Sequence, residues 1–140
     1  MWRRLLATGP EPTFLADVMF TILRIFPALA MALSHGMRKL PPSDRFVAGV
    51  EGWGFPAPEL FAWAAALSEV VGGFMLAAGL LTRPAALMIA VTMGVAAFVA
   101  HGADDFGVKE PALMYLVVML FFLARGGGRW SVDRWLSRRR

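Results

Sequence analysis

Cysteine is absent from the 140 residues of this chain. Its absence excludes disulfide bonds, thiolate nucleophiles, thiol relays, and metal or iron–sulfur sites with cysteine ligands. Charged residues are also scarce, at 17% of the chain, whereas soluble domains usually contain about 25%. The composition therefore argues against an ordinary soluble domain.

Apolar residues make up 58% of the chain and gather into four segments, residues 14–35, 58–81, 84–101 and 110–125. A helix that crosses a bilayer needs about 20 such residues. We predict a single domain over residues 1–140, an all-α membrane protein built as a bundle of four transmembrane helices and followed by a basic tail at 126–140. Because Gly9 to Pro12 separates the basic start from the first segment, we expect a retained span and no cleaved signal peptide.

Arginine and lysine predict the orientation, because positively charged loops stay in the cytoplasm. With four spans, one side of the membrane receives nine basic residues: Arg3, Arg4, Arg83, Arg125, Arg129, Arg134, Arg138, Arg139 and Arg140. The other side receives four: Arg38, Lys39, Arg45 and Lys109. We therefore predict that both termini are cytoplasmic in a multi-pass protein of the cell inner membrane. The net charge of +4 is explained by contact with the lipid bilayer, and no nucleic-acid partner is expected.

Two ionisable residues, Arg24 and Glu69, fall deep inside predicted spans. Such residues are costly in a bilayer and are candidates for functional sites. Each lies 11 residues from the predicted outer end of its helix, at His35 and Pro58, or roughly 16 Å at about 1.5 Å per residue. We therefore expect a buried Arg24–Glu69 ion pair between antiparallel helices, with either a structural role or a role in handling protons or a ligand.

Small residues predict close helix packing in two places. Gly72 and Gly73 share a helical face with Glu69, and glycine lets two backbones approach closely. Ala86, Ala90 and Gly94 form a ladder of small residues on the third span. Both sets are expected to pack helices together, and the glycine face is also a candidate interface for a homo-oligomer.

Four polar residues lie at the predicted outer helix ends: His35, Lys39, His101 and Glu110. This outer polar cluster allows several interpretations: hydrogen bonding to a quinone headgroup, entry of protons, a metal site, or simple capping of helix ends. No two of these residues have a chelating spacing, so no metal site is predicted. No catalytic residue can be named.

The tail carries Trp130 and Trp135 among arginines. Tryptophan favours the headgroup level of a membrane, and arginine attracts anionic lipid. The tail is therefore expected either to lie at the membrane interface or to extend into solvent.

Several segments in this order resemble the DoxX family. They are His35-Gly36-Met37-Arg38-Lys39-Leu40, Gly54-Phe55-Pro56, Glu69-Val70-Val71-Gly72-Gly73, Gly79-Leu80-Leu81-Thr82-Arg83, His101, Glu110 and Gly128-Arg129-Trp130-Ser131-Val132-Asp133. The resemblance covers about four fifths of the chain. It departs from the family at Gly126-Gly127-Gly128-Arg129, where the family often has Gly-Pro-Gly-Arg.

The resemblance implies a four-helix inner-membrane protein associated with redox enzymes. The family name comes from a membrane subunit of a thiosulfate:quinone oxidoreductase, and other members resemble partners of superoxide dismutase and of a sulfurtransferase in an oxidative-stress complex. We therefore expect a subunit, itself of uncertain catalytic activity, that joins a soluble or membrane oxidoreductase and takes quinone as its candidate cofactor. The alternative is a non-enzymatic membrane scaffold or assembly factor. A transporter or channel is less favoured, because we see no internal inverted repeat.

Overall fold

The computed structural model of the chain describes residues 13–138, and this part is helical without β-strands. Its main helices are α1 (Phe14–Ala30), α2 (Asp44–Gly52), α3 (Pro58–Ala78), α4 (Thr82–Val95), α5 (Phe106–Arg125) and α6 (Val132–Ser137). Helix α1 continues without a break through a π-helical turn, Met31–Gly36, and a 3₁₀ turn, Met37–Lys39. Helix α4 likewise continues through a π-helical segment, Ala96–Ala100.

Four continuous helical segments are long and apolar enough to cross a membrane: Phe14–Lys39, Pro58–Ala78, Thr82–Ala100 and Phe106–Arg125. This confirms the predicted number of spans and the helical fold class. The predicted ends differ by a few residues from those observed. The largest differences, of four residues each, are at the end of the first span, which continues past residue 35 to Lys39, and at the start of the fourth, which begins at Phe106.

The segment between the first two spans contains helix α2, which is not among the four predicted helices. Ser43 caps this helix by accepting a hydrogen bond from the amide of Phe46, as serine commonly does at a helix N-terminus. Helix α2 packs beside α3 and buries Val50. Its apolar residues are too few to mark a span, which is why the hydropathy pattern missed it.

The spans pack in a ring. Helix α3 lies between α1 and α4, and α4 lies against α5. The ring closes where Phe20 of α1 meets Phe122 of α5, with ring centroids 5.4 Å apart. The core between the helices is built of Ala28, Met31, Leu76, Ala85, Ala86, Ile89, Ala90, Met93, Met119 and Phe122. Many larger apolar side chains point outward, as expected where lipid is the surrounding solvent.

We call the two ends of the bundle the tail end and the loop end. The tail end contains the start of α1, the α3–α4 turn at Gly79–Leu81 and helix α6. The loop end contains Lys39, α2 and the α4–α5 loop. Both ends of the described chain lie at the tail end, because Trp130 stacks edge-on against Phe14 and Arg129 forms a salt bridge with Asp17.

Candidate functional site

Glu69 lies near the middle of α3 and is completely buried. Its Oε1 atom forms an ion pair with Lys39 Nζ at 2.5 Å. Its Oε2 atom is also buried and has no hydrogen-bond partner among the described residues. A buried charge is costly unless it is paired. Lys39 therefore stabilises the carboxylate through Oε1, whereas Oε2 remains an acceptor without a donor among the described residues.

The close approach of α1 to α3 explains how Lys39 reaches Glu69. A Cβ atom at Gly36 would lie 2.7 Å from Val70 Cγ2 and 3.0 Å from Glu69 Cβ. Only glycine fits so close to the neighbouring helix. The 3₁₀ turn then places Lys39 beside the carboxylate, with its side chain 33% exposed. The buried carboxylate of Glu69 is therefore paired with a side chain that is partly exposed at the surface of the bundle.

A pair of aromatic rings, Tyr115 and His35, joins α5 to the first span. Tyr115 of α5 lies within electrostatic range of Glu69. The His35 ring lies edge-on to Tyr115, with centroids 5.6 Å apart, and His35 itself is exposed. We call Lys39, Glu69, Tyr115 and His35 the Glu69 site. It combines residues from three spans.

The predicted Arg24–Glu69 ion pair is wrong. Arg24 Nη1 donates to the carbonyl oxygens of Leu76 at 2.9 Å and Ala77 at 2.6 Å. Its Nη2 atom donates to the carbonyl oxygen of Trp130 at 2.6 Å. The depth estimate failed because it took His35 as the outer end of the first helix. The close contact at Gly36 shifts α1 along α3, so Arg24 meets the end of α3 and not its middle.

Asp133 completes this second polar group, which we call the tail cluster together with Arg24, Gly79, Thr82 and Trp130. Its carboxylate accepts hydrogen bonds from the amides of Leu81 and Thr82, at 2.7 and 2.9 Å, and from the Thr82 hydroxyl at 2.7 Å. Its own amide donates to the Gly79 carbonyl at 2.9 Å. The tail is therefore docked onto the ends of α1, α3 and α4.

The electrostatics of Asp133 reflect this docking. Burial alone would raise the pKa of Asp133, but the hydrogen bonds from Thr82 and Leu81 and the positive charge of Arg24 outweigh it, so the pKa lies below its ordinary value. Hydrogen bonds to the charged form have this effect in general. The tail cluster thus favours an ionised Asp133 in the folded protein.

The predicted outer polar cluster does not form one group. Lys39 and His35 belong to the Glu69 site, whereas His101 Nδ1 pairs with Asp104 in its own loop at 2.7 Å. Glu110 is exposed on α5. Among residues 13–138, no group of three or more histidine or acidic side chains is arranged to hold a metal ion.

The glycines at positions 72 and 73 do lie in helix contacts. A Cβ atom at Gly72 would approach Ile89 of α4 to 3.1 Å, and one at Gly73 would lie 2.8 Å from the Ala28 carbonyl oxygen. Ala86 and Ala90 are buried in the core. Gly94 was expected to continue their ladder, but a Cβ atom there would meet nothing within 4 Å. Gly94 therefore makes no close helix contact within the described chain.

Sequence reasoning missed Tyr115 and Asp133 as members of polar sites. Tyr115 is the one tyrosine of the chain and lies inside an apolar span, which is a signal for a polar role. Asp133 offers a weaker signal, since Ser131 two residues earlier caps α6 and only the fold brings Asp133 to the α3–α4 turn. Gly79 and Gly127 show the same docking, because a Cβ atom at Gly79 would lie 2.5 Å from Ser131 Cβ and one at Gly127 would lie 2.6 Å from Thr82 Oγ1.

Comparison with known proteins is consistent with this architecture. The DoxX family model matches residues 19–102. An uncharacterized membrane protein of Mycobacterium tuberculosis is 32% identical over 99% of this chain and 90% of its own length. Two uncharacterized proteins of Haemophilus influenzae are each 31% identical, over 84% and 88% of this chain and 83% and 90% of their own lengths. No solved structure matches the chain. With a match over more than half of its residues and relatives along nearly all of its length, the chain belongs to the DoxX family of membrane proteins.

Proposed function

We propose that the chain is an inner-membrane subunit of a redox enzyme complex and binds a quinone headgroup at the Glu69 site. One observation carries this proposal: the buried Oε2 atom of Glu69, which has no partner among the described residues. A buried acceptor without a partner calls for an explanation, and an ionisable residue within a membrane span is by default a candidate for function. A ligand that donates a hydrogen bond from within the bilayer would satisfy it.

The chemistry of the site suits a quinone. The carboxylate of Glu69 can accept a hydrogen bond from a quinol hydroxyl, and the ammonium of Lys39 can donate one to a quinone carbonyl. Tyr115 and His35 supply an aromatic wall on the α5 side. Because a quinone carries an apolar isoprenoid tail, it can reach the site through the lipid between helices.

The reaction determines what this chain and its partner would each supply. Reducing a quinone to a quinol requires two electrons and two protons. The electrons would come from the redox centre of a partner oxidoreductase, either soluble or in the membrane. The Lys39 ammonium would donate the two protons to the quinone oxygens one after the other, taking up a new proton from outside the bundle through its partly exposed side chain. The Glu69 carboxylate would hold the ligand by accepting a hydrogen bond from the quinol hydroxyl. The chain then acts as a quinone-binding subunit that performs no complete reaction alone.

The test is quinone retention by the purified chain in lipid nanodiscs that contain ubiquinone or menaquinone. Wild type should retain quinone close to one per chain. Glu69→Gln, which keeps the shape of the side chain but removes its charge, should lower retention at least about tenfold, since a hydrogen bond to a charged group contributes about 1.5–3 kcal/mol. The matched control is Glu59→Gln, at an exposed carboxylate in the first turn of the same helix.

Two further variants separate the Glu69 site from the outer polar cluster of the sequence prediction. His101→Ala and Glu110→Gln should keep normal retention if the Glu69 site alone binds the headgroup. Retention by Glu69→Gln equal to wild type, at normal expression and melting temperature, would overturn the proposal. Affinity purification from native membranes tests the partner separately, because an oxidoreductase partner should co-elute with the chain.

The second candidate is a non-enzymatic scaffold, and the tail cluster favours it. Arg24, the other buried charge among the described residues, makes hydrogen bonds to three carbonyl groups of the chain itself, as expected for a structural residue, although its buried Nε atom has no partner among the described residues. If Glu69 and Lys39 are also structural, the effect of each substitution on any complex should follow its effect on expression and melting temperature. A loss of quinone at unchanged stability excludes this candidate.

A further inference from the structure

A groove of about 390 Å³ opens at the tail end, between the last residue of α3 and the docked tail. Two arginines, Arg129 and Arg138, and two tryptophans, Trp130 and Trp135, line it together with Ala78. Among residues 13–138, no acidic side chain lines it. The groove therefore combines positive charge with aromatic surface, and neither residue pair belongs to the Glu69 site.

The depth of the groove relative to the membrane indicates the source of its ligand. Helix α3 has 21 residues and is about 31 Å long at about 1.5 Å per residue, which matches a hydrocarbon core of about 30 Å. Ala78, at the end of α3, then lies close to the boundary between acyl chains and headgroups. Tryptophan favours this level of the membrane, and here two tryptophans meet two arginines.

The surface next to the groove is apolar in the direction of the membrane interior. Val71, Phe74 and Ala78 share one face of α3, because residues three and four apart are neighbours on a helix. Phe74 and Val71 are both exposed. On the other side, Phe14 packs edge-on against Trp130 and is itself exposed. An acyl chain can lie along either surface while its headgroup occupies the groove.

We propose that this groove binds the phosphate headgroup of an anionic phospholipid, with Arg129 and Arg138 as the phosphate ligands. Arginine presents several donors in a fixed fork that matches phosphate oxygens. Arg129 uses its Nη1 atom for Asp17, but its side chain remains 60% exposed, so other donors are available to a ligand. The inference is independent of quinone binding, and it assigns the docked tail a role in fixing the protein to anionic lipid.

Native mass spectrometry in a neutral detergent tests the proposal, because individual lipids then bind without a charged surface around them. The probes are phosphatidylglycerol and phosphatidylcholine of identical acyl chains. Wild type should bind phosphatidylglycerol at least about tenfold more tightly, because both lipids carry the same phosphate but the two arginines repel the positive trimethylammonium group of phosphatidylcholine. The double variant R129Q/R138Q should bind the two lipids equally. The control Arg125→Gln removes an arginine at the same end of the bundle but outside the groove, and should keep the preference.

Three results would overturn the proposal. The first is equal binding of both lipids by wild type, and the second is an equal loss of preference in Arg125→Gln. The third is displacement of phosphatidylglycerol by millimolar inorganic phosphate, which would show a site for free phosphate and not for lipid. Circular dichroism of R129Q/R138Q checks folding, and Arg138→Gln alone, which leaves the Arg129–Asp17 salt bridge intact, should lose part of the preference.

Discussion

The guanidinium of Arg24 donates to the carbonyl oxygen of Trp130 at 2.6 Å, although the two residues are 106 positions apart in the chain. The same guanidinium donates to the Leu76 and Ala77 carbonyls in the last turn of α3, where carbonyl groups run out of partners within the helix; Leu76 also accepts from the Gly79 amide that caps the helix. One buried side chain therefore joins the first span, the second span and the tail. The tail is thus a structural part of the bundle.

Replacing Arg24 should destabilise the protein strongly. Arg24→Met keeps much of the apolar stem but removes the donors to three carbonyls. We expect a loss on the order of 3 kcal/mol in the free energy of unfolding, because a hydrogen bond to a charged group contributes about 1.5–3 kcal/mol and such losses are not additive. Thermal unfolding in detergent, followed by circular dichroism, measures the effect.

The control for this prediction is Arg83→Met at the same end of the bundle. Arg83 makes one exposed hydrogen bond, to the Ala124 carbonyl at 3.2 Å, so its loss should change stability by less than about 0.5 kcal/mol. Equal effects of the two substitutions would contradict a special role for Arg24.

Docking of the tail should depend on pH through Asp133. Since its pKa is lowered in the folded protein, the stability that it contributes is fully present above the unfolded value of about 3.9. This contribution is lost as the pH falls through the lower folded value. We expect the melting temperature of wild type to fall below about pH 4 more steeply than that of Asp133→Asn. Asp104→Asn, at the loop end, should behave like wild type, and parallel curves for wild type and Asp133→Asn would contradict the prediction.

The four spans were predictable because their signal is local: each needs about 20 apolar residues, whatever the rest of the chain does. The pairing of charges was not, because it depends on the register between two helices. Gly36 sets that register through its contact with Val70 and Glu69, and so replaces Arg24 by Lys39 as the partner of Glu69. The sequence pattern showed that both charges are buried but not which groups satisfy them.

The contacts of the tail cluster also could not be predicted from the sequence. The contact of Asp133 with Leu81 and Thr82 spans about fifty residues. No periodic pattern marks such a pair, and a tail with many arginines is equally typical of an interfacial or a solvated segment. The sequence left open whether Trp130 lies at the membrane interface or in solvent, and the contacts of Arg129 with Asp17 and of Trp130 with Phe14 required the fold.

Two glycine substitutions should have opposite effects. Gly73→Ala places a methyl group 2.8 Å from the backbone oxygen of Ala28, and we expect a loss of about 1–3 kcal/mol from overpacking. Gly94→Ala places its methyl group in open space and should be neutral or stabilise the helix by up to about 1 kcal/mol, since alanine favours helices over glycine. The melting temperatures of both variants, compared with that of wild type, measure these changes in stability. A destabilised Gly94→Ala would instead indicate a contact with a partner or a second copy.

The orientation of the bundle can be tested by labelling single introduced cysteines, because the chain has no cysteine of its own. Ala103 and Ser137 are both exposed, and they lie at the loop end and the tail end. The excess of arginine at the tail end predicts that this end is cytoplasmic. In intact cells, a membrane-impermeant maleimide should therefore label Ala103→Cys directly and Ser137→Cys only after permeabilisation. The reverse pattern would place the Asp133 tail outside the cell, and any partner that contacts the tail would then have to be extracytoplasmic.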